Sequence, residues 1–423
     1  MRILITGGTG FIGSHLANAL RARGHAVVSA SRSPLAGIEH IPADFTRDVS
    51  AAVWLDRLRN VNIVINAVGI LREHGEQTFD AVHTHAPAAL FTAAAASGVA
   101  RVIQISALGA DTGTSAYFRS KHLADEALTR LPVSWTVVQP SLVYGDGGTS
   151  AALFTLMASL PVMVLPGRGA QRVQPVHIDD VVAAIVALCE SDAYRRERVA
   201  LVGPHAVTFT AMLQELRRTL GLRETVKLRV PLPLVRIAAA LAAWHPRSLL
   251  DADTVSMLET GNTADPESTR QLLAREPRAV ATFIRPEQRE ALLVQAQLRW
   301  LLPLLRLSIA VMWIWTAIVS IWLYPQSASF ALLERTGVPR YWTPLMLHGA
   351  AALDFALGLA TLLGLRARTL WLAQIALIVF YTVIISVRLP EFWLHPYGPI
   401  LKNLPLLAAL YLLYVFERPR WNT

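Results

Sequence analysis

The sequence predicts a doubly wound α/β sheet over its first two-thirds, followed by an all-α bundle of membrane-spanning helices. Three observations carry this prediction. Short β-branched runs alternate with helical patterns from Met1 to about Leu201, which indicates a parallel sheet with helices on both faces. A glycine-rich turn, Gly7–Gly13, joins the first run to the first helical pattern. Four apolar stretches near bilayer-spanning length follow Pro286.

The β-branched runs themselves are the predicted strands of the sheet. Those that the pattern marks best are Ile3–Thr6, Ala26–Ser31, Ile63–Asn66, Arg101–Ser106 and Ser134–Gln139. A doubly wound sheet binds its ligands outside the carboxyl ends of its strands. The residues that follow each run are therefore the candidate site residues.

The glycine turn lies at the first of these carboxyl ends. Its spacing is G-x-G-x-x-G when read from Gly8 and G-x-x-G-x-x-G when read from Gly7. Backbone amides at a helix start are unpaired and carry the positive end of the macrodipole, and glycines leave room for a pyrophosphate. Because the turn follows a strand and opens a helix, it predicts a dinucleotide site rather than an ordinary turn. The residues expected to contact the dinucleotide are Gly7, Gly8, Thr9, Gly10, Phe11, Ile12 and Gly13.

Other strand ends indicate which dinucleotide is bound. After the second strand stand Ser31 and Arg32, where an NAD enzyme usually has an acid for the ribose hydroxyls. A hydroxyl followed by a guanidinium suits the 2′-phosphate of NADP, so the sequence favours NADP(H) over NAD(H), the alternative being a solvated loop arginine. Asp44 and Phe45 are expected to meet the adenine. The cofactor is expected to pass close to the backbone at the end of the fourth strand, at Asn66, Ala67, Val68 and Gly69.

Tyr117 and Lys121 lie four residues apart at the start of a helical pattern, so they share one helix face. An ammonium beside a phenol favours the phenolate, so the pair predicts that the pKa of Tyr117 is lowered from about 10 toward neutrality. Such a tyrosine serves as a general acid or base. Lys121 is also expected to hold the nicotinamide ribose. The alternative is a surface helix pair, which the preceding fingerprint and the flanking strands make less favoured.

Composition limits the other possible functions. The net charge is +9, but no run of basic residues with interleaved aromatics occurs, so no nucleic-acid partner is predicted. The single cysteine, Cys189, excludes an internal disulfide and a cysteine metal cluster, and no metal site is predicted. An apolar fraction of 53% and a mean hydropathy of +0.40 are too high for a purely soluble enzyme. The N-terminal apolar run is too short for a signal peptide, so the first domain is expected in the cytoplasm.

A domain over residues 1–285 is predicted, in which residues 203–285 cap the substrate cleft. Just before the cap, Asp179 and Asp180 precede a helical pattern and are expected to cap its N-terminus, since a carboxylate satisfies free amides there. His177 is expected to be packed rather than catalytic.

Residues 286–303 are predicted as a linker helix and residues 304–423 as a membrane domain. Its apolar stretches are Leu307–Tyr324, Thr343–Leu365, Thr369–Val387 and Pro399–Phe416, the alternative being a buried soluble bundle. With the first domain in the cytoplasm, four spans return the C-terminus there, and the arginines agree mildly with the positive-inside rule of a bacterial-type inner membrane. Asp354 lies within a span, near His348, and is a candidate for function or assembly, or for a helix–helix hydrogen bond.

On these residues the sequence resembles the short-chain dehydrogenase/reductase superfamily in its extended form. The segments that carry the resemblance are Thr6–Gly13, Asn66–Gly69, Tyr117–Lys121, Gln139–Gly145 and Pro175–Asp180. The stretch Ile105–Asp111 is similar to the atypical branch that includes an accessory subunit of mitochondrial complex I. The resemblance implies an NAD(P)(H)-binding Rossmann domain with Tyr117 as proton donor or acceptor and Lys121 as its partner. It also implies cofactor contacts at Pro140, Ser141 and Val143.

One position departs from that family's pattern. Extended members place a catalytic Ser or Thr about two residues beyond the fifth strand, which falls near Leu108 in this chain, and only Ser106 is close by. Either Ser106 takes that catalytic part or the tetrad is incomplete. An incomplete tetrad implies nucleotide binding with slow or absent turnover.

The last third resembles the DoxX-like membrane family, through its four-span layout and the segment His395–Pro405. Some relatives of that family are associated with quinone-linked oxidation. The leading hypothesis is a membrane-anchored NADP(H)-dependent oxidoreductase that moves a hydride between nicotinamide and a carbonyl or alcohol of a lipophilic or quinone-like small molecule. The alternatives are a non-catalytic NADP(H)-binding module of a membrane complex and, less favoured, a sugar-nucleotide epimerase or dehydratase.

Overall fold

The computed structural model describes residues 1–242, 261–365 and 367–417. The chain divides into two compact units, Met1–Ala296 and Gln297–Thr423. Part of the predicted cap, residues 243–260, lies outside the described residues, and so do residue 366 and residues 418–423 of the predicted membrane domain.

A seven-stranded sheet forms the centre of the first unit, and all of its pairings are parallel. Its strands in chain order are β1 (Arg2–Thr6), β2 (Ala26–Ser31), β3 (Glu39–Pro42), β4 (Ile63–Asn66), β5 (Arg101–Ile105), β6 (Trp135–Pro140) and β7 (Glu197–Leu201). In space the order is β3-β2-β1-β4-β5-β6-β7. The order reverses between β1 and β4, and such a reversal opens a crevice at the carboxyl ends of the strands. The predicted parallel sheet is confirmed.

Helices cover both faces of this sheet. Those of the first unit are α1 (Phe11–Ala22), α2 (Ala51–Leu55), α3 (Ala86–Ala96), α4 (Ala116–Thr129), α5 (Thr149–Ser159), α6 (Ile178–Glu190), α7 (Phe209–Thr219), α8 (Leu232–Ala242) and α9 (Glu267–Leu273). Side chains alternate along each strand, so Leu4 packs with α2, α3 and α4, whereas Ile3 and Ile5 pack with α1 and α6 on the opposite face. Each such buried aliphatic side chain contributes about 1.5–3 kcal/mol to folding.

The region after β6 builds a third apolar core, referred to here as the cap core, which lies partly in the predicted cap (residues 203–285) and partly before it. Short strand pairs frame it: Val143–Tyr144 with Val176–His177, Arg172–Val173 with Val207–Thr208, and Met163–Pro166 with Lys227–Val230. The core contains Phe154 of α5, Leu213 of α7 and Phe283.

The predicted role of Asp179 and Asp180 as helix caps is wrong. The N-cap of α6 is His177, whose Nδ1 accepts a hydrogen bond from the amide of Asp179 at 3.2 Å. The carboxylate of Asp180 instead accepts from the Arg275 guanidinium at 2.5 Å, and that of Asp179 accepts from Arg278 at 2.7 Å. Since these partners lie about 100 residues away, no local pattern announces them. The two acids fasten the segment that follows α9 to the sheet domain.

The second unit is helical. Its elements are α10 (Arg289–Ile318), α11 (Gln326–Arg335), α12 (Thr343–Leu363), α13 (Ala367–Arg388) and α14 (Asn403–Phe416). Among the described residues, three helical stretches have the length and apolar composition of membrane spans: Pro286–Leu323, Arg340–Leu363 and Arg368–Arg388. The fourth predicted span forms α14, whose 14 residues rise only about 21 Å.

A buried polar chain joins three of these helices. The indole of Trp313 on α10 donates to Gln374 on α13 at 2.7 Å, and Gln374 donates to the hydroxyl of Thr361 on α12 at 2.8 Å. Such hydrogen bonds hold helices together where lipid offers no competing partner. Asp354 on α12 is 7% exposed, and its Oδ1 has no hydrogen-bond partner in the described part of the chain.

Candidate active site

The glycines of the turn between β1 and α1 serve different purposes. Gly7 has a φ of +67°, in the left-handed region that favours glycine. A Cβ on Gly8 would lie 2.3 Å from the hydroxyl of Ser29, and one on Gly13 would lie 2.2 Å from the carbonyl oxygen of Gly7. Gly8 and Gly13 therefore let the turn pack against β2 and against the helix start. Gly10 is exposed and is the N-cap of α1, whose first turn has no acidic side chain to neutralise the helix dipole.

An open cleft lies at the carboxyl ends of β1, β2, β3 and β4. Ten predicted cofactor residues line it: Gly7, Thr9, Gly10, Ser31, Arg32, Asp44, Phe45, Ala67, Val68 and Gly69. The structure thus brings together residues from four separate loops. Six lining residues were not predicted as contacts, namely Ala30, Ala43, Thr46, Ile70, Gln77 and Val82. No motif in the sequence marks these residues as contacts of a ligand.

Charge in the cleft is concentrated at Arg32 and Asp44. Burial would raise the pKa of Asp44, but hydrogen bonds from the amide and hydroxyl of Thr46 and the charges of Arg32 and Arg47 outweigh it and lower that pKa below its ordinary value. Asp44 is therefore ionised at neutral pH and is available to accept hydrogen bonds. Arg32 is exposed at the rim, where its guanidinium faces solvent and the cleft.

Several predicted contact residues have side chains that are already hydrogen-bonded within the protein. Asn66 is buried between strands, accepting from Thr6 at 2.6 Å and donating to Gln104 at 2.7 Å. Ser141 donates to the carbonyl of Gln174 at 2.5 Å. The hydroxyl of Ser31, although it lines the cleft, donates to the carbonyl of Ser33 at 2.6 Å. These side chains hold strand ends and loops in place.

The other predicted contact residues lie beside the cleft lining rather than in it. Gly8 and Gly13 act through packing, and Phe11 lies on α1 beneath the loop at Gly148, where a Cβ would come within 2.9 Å of its ring. The remaining members of this group are Ile12, Pro140 and Val143. Val143 pairs with Val176 in a short strand pair, so it forms part of the cap framework.

Tyr117 lies on α4, enclosed by aromatic rings. The rings of Phe79, His83 and Phe118 have their centroids 6.0, 5.6 and 5.6 Å from that of Tyr117, and the residue is 8% exposed. Burial, reinforced by the negative charge of Asp125, raises the pKa of Tyr117 to about 12. The prediction that this pKa is lowered toward neutrality is therefore wrong. The phenol is protonated at neutral pH.

Lys121, the residue expected to lower the pKa of Tyr117, does not offset this burial. Its ammonium donates to the carbonyls of Ile105 at 3.2 Å and Val68 at 3.4 Å, at the ends of β5 and β4. Burial lowers the pKa of Lys121, and the opposing charge is Asp125, one helical turn further along α4. Lys121 is thus buried against a carboxylate and two carbonyls, which compensate the charge that was expected to act on the phenol.

Ser106 belongs to the same buried cluster. Its hydroxyl donates to Asp125 Oδ2 at 2.5 Å. Burial raises the pKa of Asp125, while this hydrogen bond and the charge of Lys121 oppose the rise. Since the single hydroxyl proton of Ser106 is directed at Asp125, it does not point to a substrate. Leu108, the position where extended relatives carry a hydroxyl, has its amide bonded to the carbonyl of Pro140 at 3.0 Å.

His83 was not predicted from the sequence. It lies in a π-helical turn, Asp80–His85, and its Nε2 accepts from the amide of Ile70 at 2.9 Å. Its Nδ1 lies 2.9 Å from the hydroxyl of Ser120, which itself donates to the carbonyl of Tyr117, so Nδ1 carries the proton. Burial and the charge of Lys121 lower the pKa of His83 to about 2. The imidazole is therefore neutral and fixed in one tautomer.

Gly69 connects the cleft to this buried cluster. It lines the cleft, and a Cβ added to it would lie 3.1 Å from Lys121 Nζ and 3.5 Å from His83 Nε2. The absence of a side chain at Gly69 therefore leaves space between the cleft lining and Lys121 Nζ. The residues present fit a nicotinamide dinucleotide: an open helix start for a pyrophosphate, an arginine and an ionised acid at one end, and a lysine beside a phenol-bearing helix at the other.

This fold and this cleft define an NAD(P)-binding protein of the Rossmann type. The profile of the NAD dependent epimerase/dehydratase family matches residues 3–203, and that of the DoxX-like family matches residues 310–411. A ceramide reductase from Caulobacter vibrioides is 30% identical over 256 residues, which cover 57% of this chain and 78% of the relative. Subunit 9 of the mitochondrial NADH dehydrogenase [ubiquinone] 1 alpha subcomplex from Arabidopsis thaliana is 28% identical over 253 residues, covering 56% and 62%.

A solved structure shares the fold. The NADPH-dependent quinone oxidoreductase from Escherichia coli, in complex with NADPH, has a TM-score of 0.55 at 20% identity, covering 69% of this chain and 99% of its own. The chain therefore belongs to the NAD dependent epimerase/dehydratase family in its first unit and carries a DoxX-like region in its second. Both resemblances seen in the sequence are confirmed.

Proposed function

We propose that the protein is a membrane-anchored NADPH-dependent reductase that acts on a carbonyl of a lipophilic small molecule. The observation that carries the proposal is the position of Lys121 behind Gly69, at the end of a cleft that begins at the glycine turn and Arg32. The relatives add chemical support, because one is named a ceramide reductase and a structural neighbour is named an NADPH-dependent quinone oxidoreductase. Three helices of membrane-spanning length would hold such an enzyme where lipophilic substrates dissolve.

NADPH, when bound, supplies the hydride. The chain's own residues bind and orient the reactants. The amides at the start of α1 and the guanidinium of Arg32 bind phosphate oxygens, and the charge on Arg32 favours NADPH over NADH. The carboxylate of Asp44 accepts hydrogen bonds from the nucleotide. Lys121 Nζ, reached past Gly69, holds a ribose hydroxyl in addition to the carbonyls that it already contacts.

Tyr117 Oη donates the proton to the carbonyl oxygen as it becomes an alkoxide. A phenol with a raised pKa carries its proton at neutral pH, so it is in the form that can donate. Once the proton has left, the negative charge of Asp125 opposes the phenolate.

A second candidate is a non-catalytic NADPH-binding module of a membrane assembly. The observation that favours it is the commitment of the Ser106 hydroxyl to Asp125, together with an apolar Leu108 at the family's Ser or Thr position. Without a hydroxyl to orient the carbonyl, turnover falls while nucleotide binding remains. The similarity to a subunit of the NADH dehydrogenase 1 alpha subcomplex is in keeping with such a role.

The test separates the two candidates with a matched pair of tyrosines. The full chain in lipid nanodiscs is given NADPH and a panel of long-chain ketones and quinones, and NADPH oxidation and NADPH affinity are measured. Tyr117→Phe is expected to lower kcat at least about 100-fold, with the dissociation constant of NADPH unchanged within twofold. Tyr194→Phe, which removes a surface phenol bonded to Gln271, is expected to leave both unchanged.

The reductase proposal fails if Tyr117→Phe keeps the wild-type kcat. It also fails if the wild-type protein binds NADPH but oxidises it with no member of the panel, and that result favours the binding module. Loss of NADPH affinity in Tyr117→Phe would show instead that the phenol supports the cleft itself.

A further inference from the structure

Six large apolar side chains are exposed in two segments of the first unit, residues 162–164 and 226–237. We refer to them as the apolar face: Val162, Val164, Val226, Leu228, Leu234 and Ile237. They make up nearly half of the exposed large apolar side chains in the described part of this unit. Val226 is 73% exposed and Leu228 is 52% exposed. Single exposed apolar residues are normal on a soluble protein, but a contiguous group marks a surface that binds something.

The pairing of the two strands explains why Val164 and Leu228 lie on the same side. The strands Met163–Pro166 and Lys227–Val230 pair in parallel, with Val164 opposite Leu228. Paired residues lie on the same side of a sheet, and neighbours along a strand lie on opposite sides. Met163 and Leu165, which alternate with Val164, are fully buried in the cap core. The other side of this two-stranded sheet therefore presents Val164 and Leu228 outward.

Helix α8 extends the apolar face. It begins at Leu232, directly after the strand Lys227–Val230. Leu234 and Ile237 are three residues apart on it, so they lie on the same side of the helix, and both are more than half exposed. Lys227 and Arg229, which are both exposed, alternate with Leu228 along the strand, so they lie on the other side of the two-stranded sheet and flank the apolar face rather than belong to it.

Apolar side chains with neighbouring Lys and Arg are the pattern of a surface that lies in the headgroup region of a bilayer. The apolar groups enter the boundary with the acyl chains, and the long cationic side chains reach the phosphates. This chain carries three helices of membrane-spanning length beginning at Pro286, so a bilayer is always present near the first unit. Lipid is therefore a more direct partner for the apolar face than a soluble protein, which would first have to bind from solution.

We propose that the apolar face inserts into the headgroup region of the membrane in which the chain is anchored. The part of the first unit that carries the apolar face is thereby held at the lipid surface. This arrangement goes beyond the anchoring by the spans, since it makes the bilayer a direct binding partner of the first unit. It does not require turnover, so it stands or falls separately from the proposed reductase activity.

The test measures how deeply the apolar face lies in lipid. A spin label is placed on Leu228→Cys of the full chain, in nanodiscs of phosphatidylcholine and phosphatidylglycerol. Its collision rates with oxygen, which dissolves in lipid, and with a water-soluble nickel chelate are compared by electron paramagnetic resonance. Leu123→Cys is the matched control, because Leu123 is 51% exposed on α4, outside the cap. Cys189, the single native cysteine, is buried, and replacing it with Ala removes background labelling.

The label at position 228 is expected to collide more with oxygen than with the nickel chelate, and the label at position 123 is expected to show the reverse. Access of the chelate to position 228 equal to that at position 123 would show that the face is in water. Protection of position 228 from both reagents would show that protein covers it, either another segment of this chain or a second copy. Both of these results overturn the proposal.

A second label and a change of lipid guard against a local artefact. Leu234→Cys on α8 is expected to give the same reversal as Leu228→Cys. Removing the phosphatidylglycerol is expected to raise the access of the nickel chelate at both positions, since Lys227 and Arg229 lose their anionic partners. Each labelled variant is first checked for wild-type NADPH affinity, which reports that the first unit is folded.

Discussion

The cleft that begins at the glycine turn and the cluster around Lys121 share one edge of the sheet but use their polar groups differently. In the cleft, Thr9, Gly10 and Arg32 are exposed, and the amides at the start of α1 face an open space. In the cluster, Lys121 and Asp125 are buried, and their charges face each other on one helix. The cleft is built to receive a ligand, whereas the cluster is already satisfied by the protein.

The difference teaches that nucleotide binding and chemistry are separable in this fold. Substitutions in the cleft change affinity for the nucleotide, because they alter groups that contact it. Substitutions of Tyr117 and Ser106 in the cluster are expected to change the proton donor and its surroundings and to leave affinity for the nucleotide almost unchanged. The following predictions test this separation, from the largest effect to the smallest.

Gly13→Ala is expected to have the largest effect, and it acts on the cleft. The added Cβ would lie 2.2 Å from the carbonyl oxygen of Gly7, a backbone atom that cannot give way without moving the helix start. We expect the dissociation constant of NADPH, measured by fluorescence titration, to rise at least about 100-fold, or roughly 2.7 kcal/mol. Gly349→Ala is the control, since a Cβ there meets no heavy atom within 4 Å. Equal affinity in both variants would contradict the assigned role of the turn.

Arg32→Gln tests which nucleotide the cleft prefers. Loss of a charged hydrogen-bond donor to a phosphate costs about 1.5–3 kcal/mol, so we expect NADPH affinity to fall about 10- to 100-fold. NADH affinity is expected to change less than twofold. Arg47→Gln is a matched control, because both arginines lower the pKa of Asp44 but only Arg32 lines the cleft. A similar loss for NADH and NADPH would rule out recognition of the 2′-phosphate.

His83 provides a test in the buried cluster around Lys121. Its pKa is about 2 in the folded protein and near 6.5 in an unfolded chain, so between these values only the unfolded state binds the proton. Stability contributed by neutral His83 is therefore full above about pH 6.5 and is lost as the pH falls, by up to about 1.4 kcal/mol per pH unit. Hydrogen exchange at the amide of Ile70, corrected for intrinsic rates, reports this loss locally.

We expect the protection of Ile70 to fall by up to about tenfold per pH unit below pH 6.5 in the wild type. His83→Gln keeps an acceptor for this amide but cannot be protonated, so its protection is expected to be flat over the same range. His15→Gln, which changes a half-buried histidine on α1, is expected to keep the wild-type slope. An unchanged slope in His83→Gln would mean that another group controls this segment.

Ser106→Ala is expected to have the smallest effect on turnover. Its hydroxyl donates to Asp125, so the substitution leaves a buried carboxylate short of one hydrogen bond, at a cost of about 1–3 kcal/mol in stability. We expect kcat to remain within about threefold of the wild type, in contrast to Tyr117→Phe. A fall of 100-fold or more with unchanged stability would place Ser106 in contact with the substrate, as the family pattern first suggested.

Much of the fold was predictable from local sequence. The alternation of β-branched runs with helical patterns indicated the strands, and the observed bounds of β2 and β4 coincide with the predicted ones. The glycine spacing indicated the turn, because its residue types are required by local backbone geometry and by the need for space. Ten of the predicted contact residues line a single cleft, since the carboxyl ends of neighbouring parallel strands meet at one edge.

The electrostatic state of the site was not predictable in the same way. From the spacing of Tyr117 and Lys121 alone, the ammonium was expected to lower the pKa of the phenol. The opposite direction results from burial by Phe79 and His83 and from Asp125, and burial is a property of the whole packed domain. The acids Asp179 and Asp180 show the same limit, since their arginine partners come from a distant part of the chain.

The sequence by itself determined the parallel sheet, the position of the nucleotide turn and the three long apolar helices, because each depends on residues close together in the chain. Only the tertiary structure decided that Tyr117 holds its proton, that Ser106 is bonded to Asp125 and that neutral His83 supports Ile70. These properties depend on desolvation and on contacts between segments far apart in sequence, such as Gly69 with Lys121, and no local pattern records them.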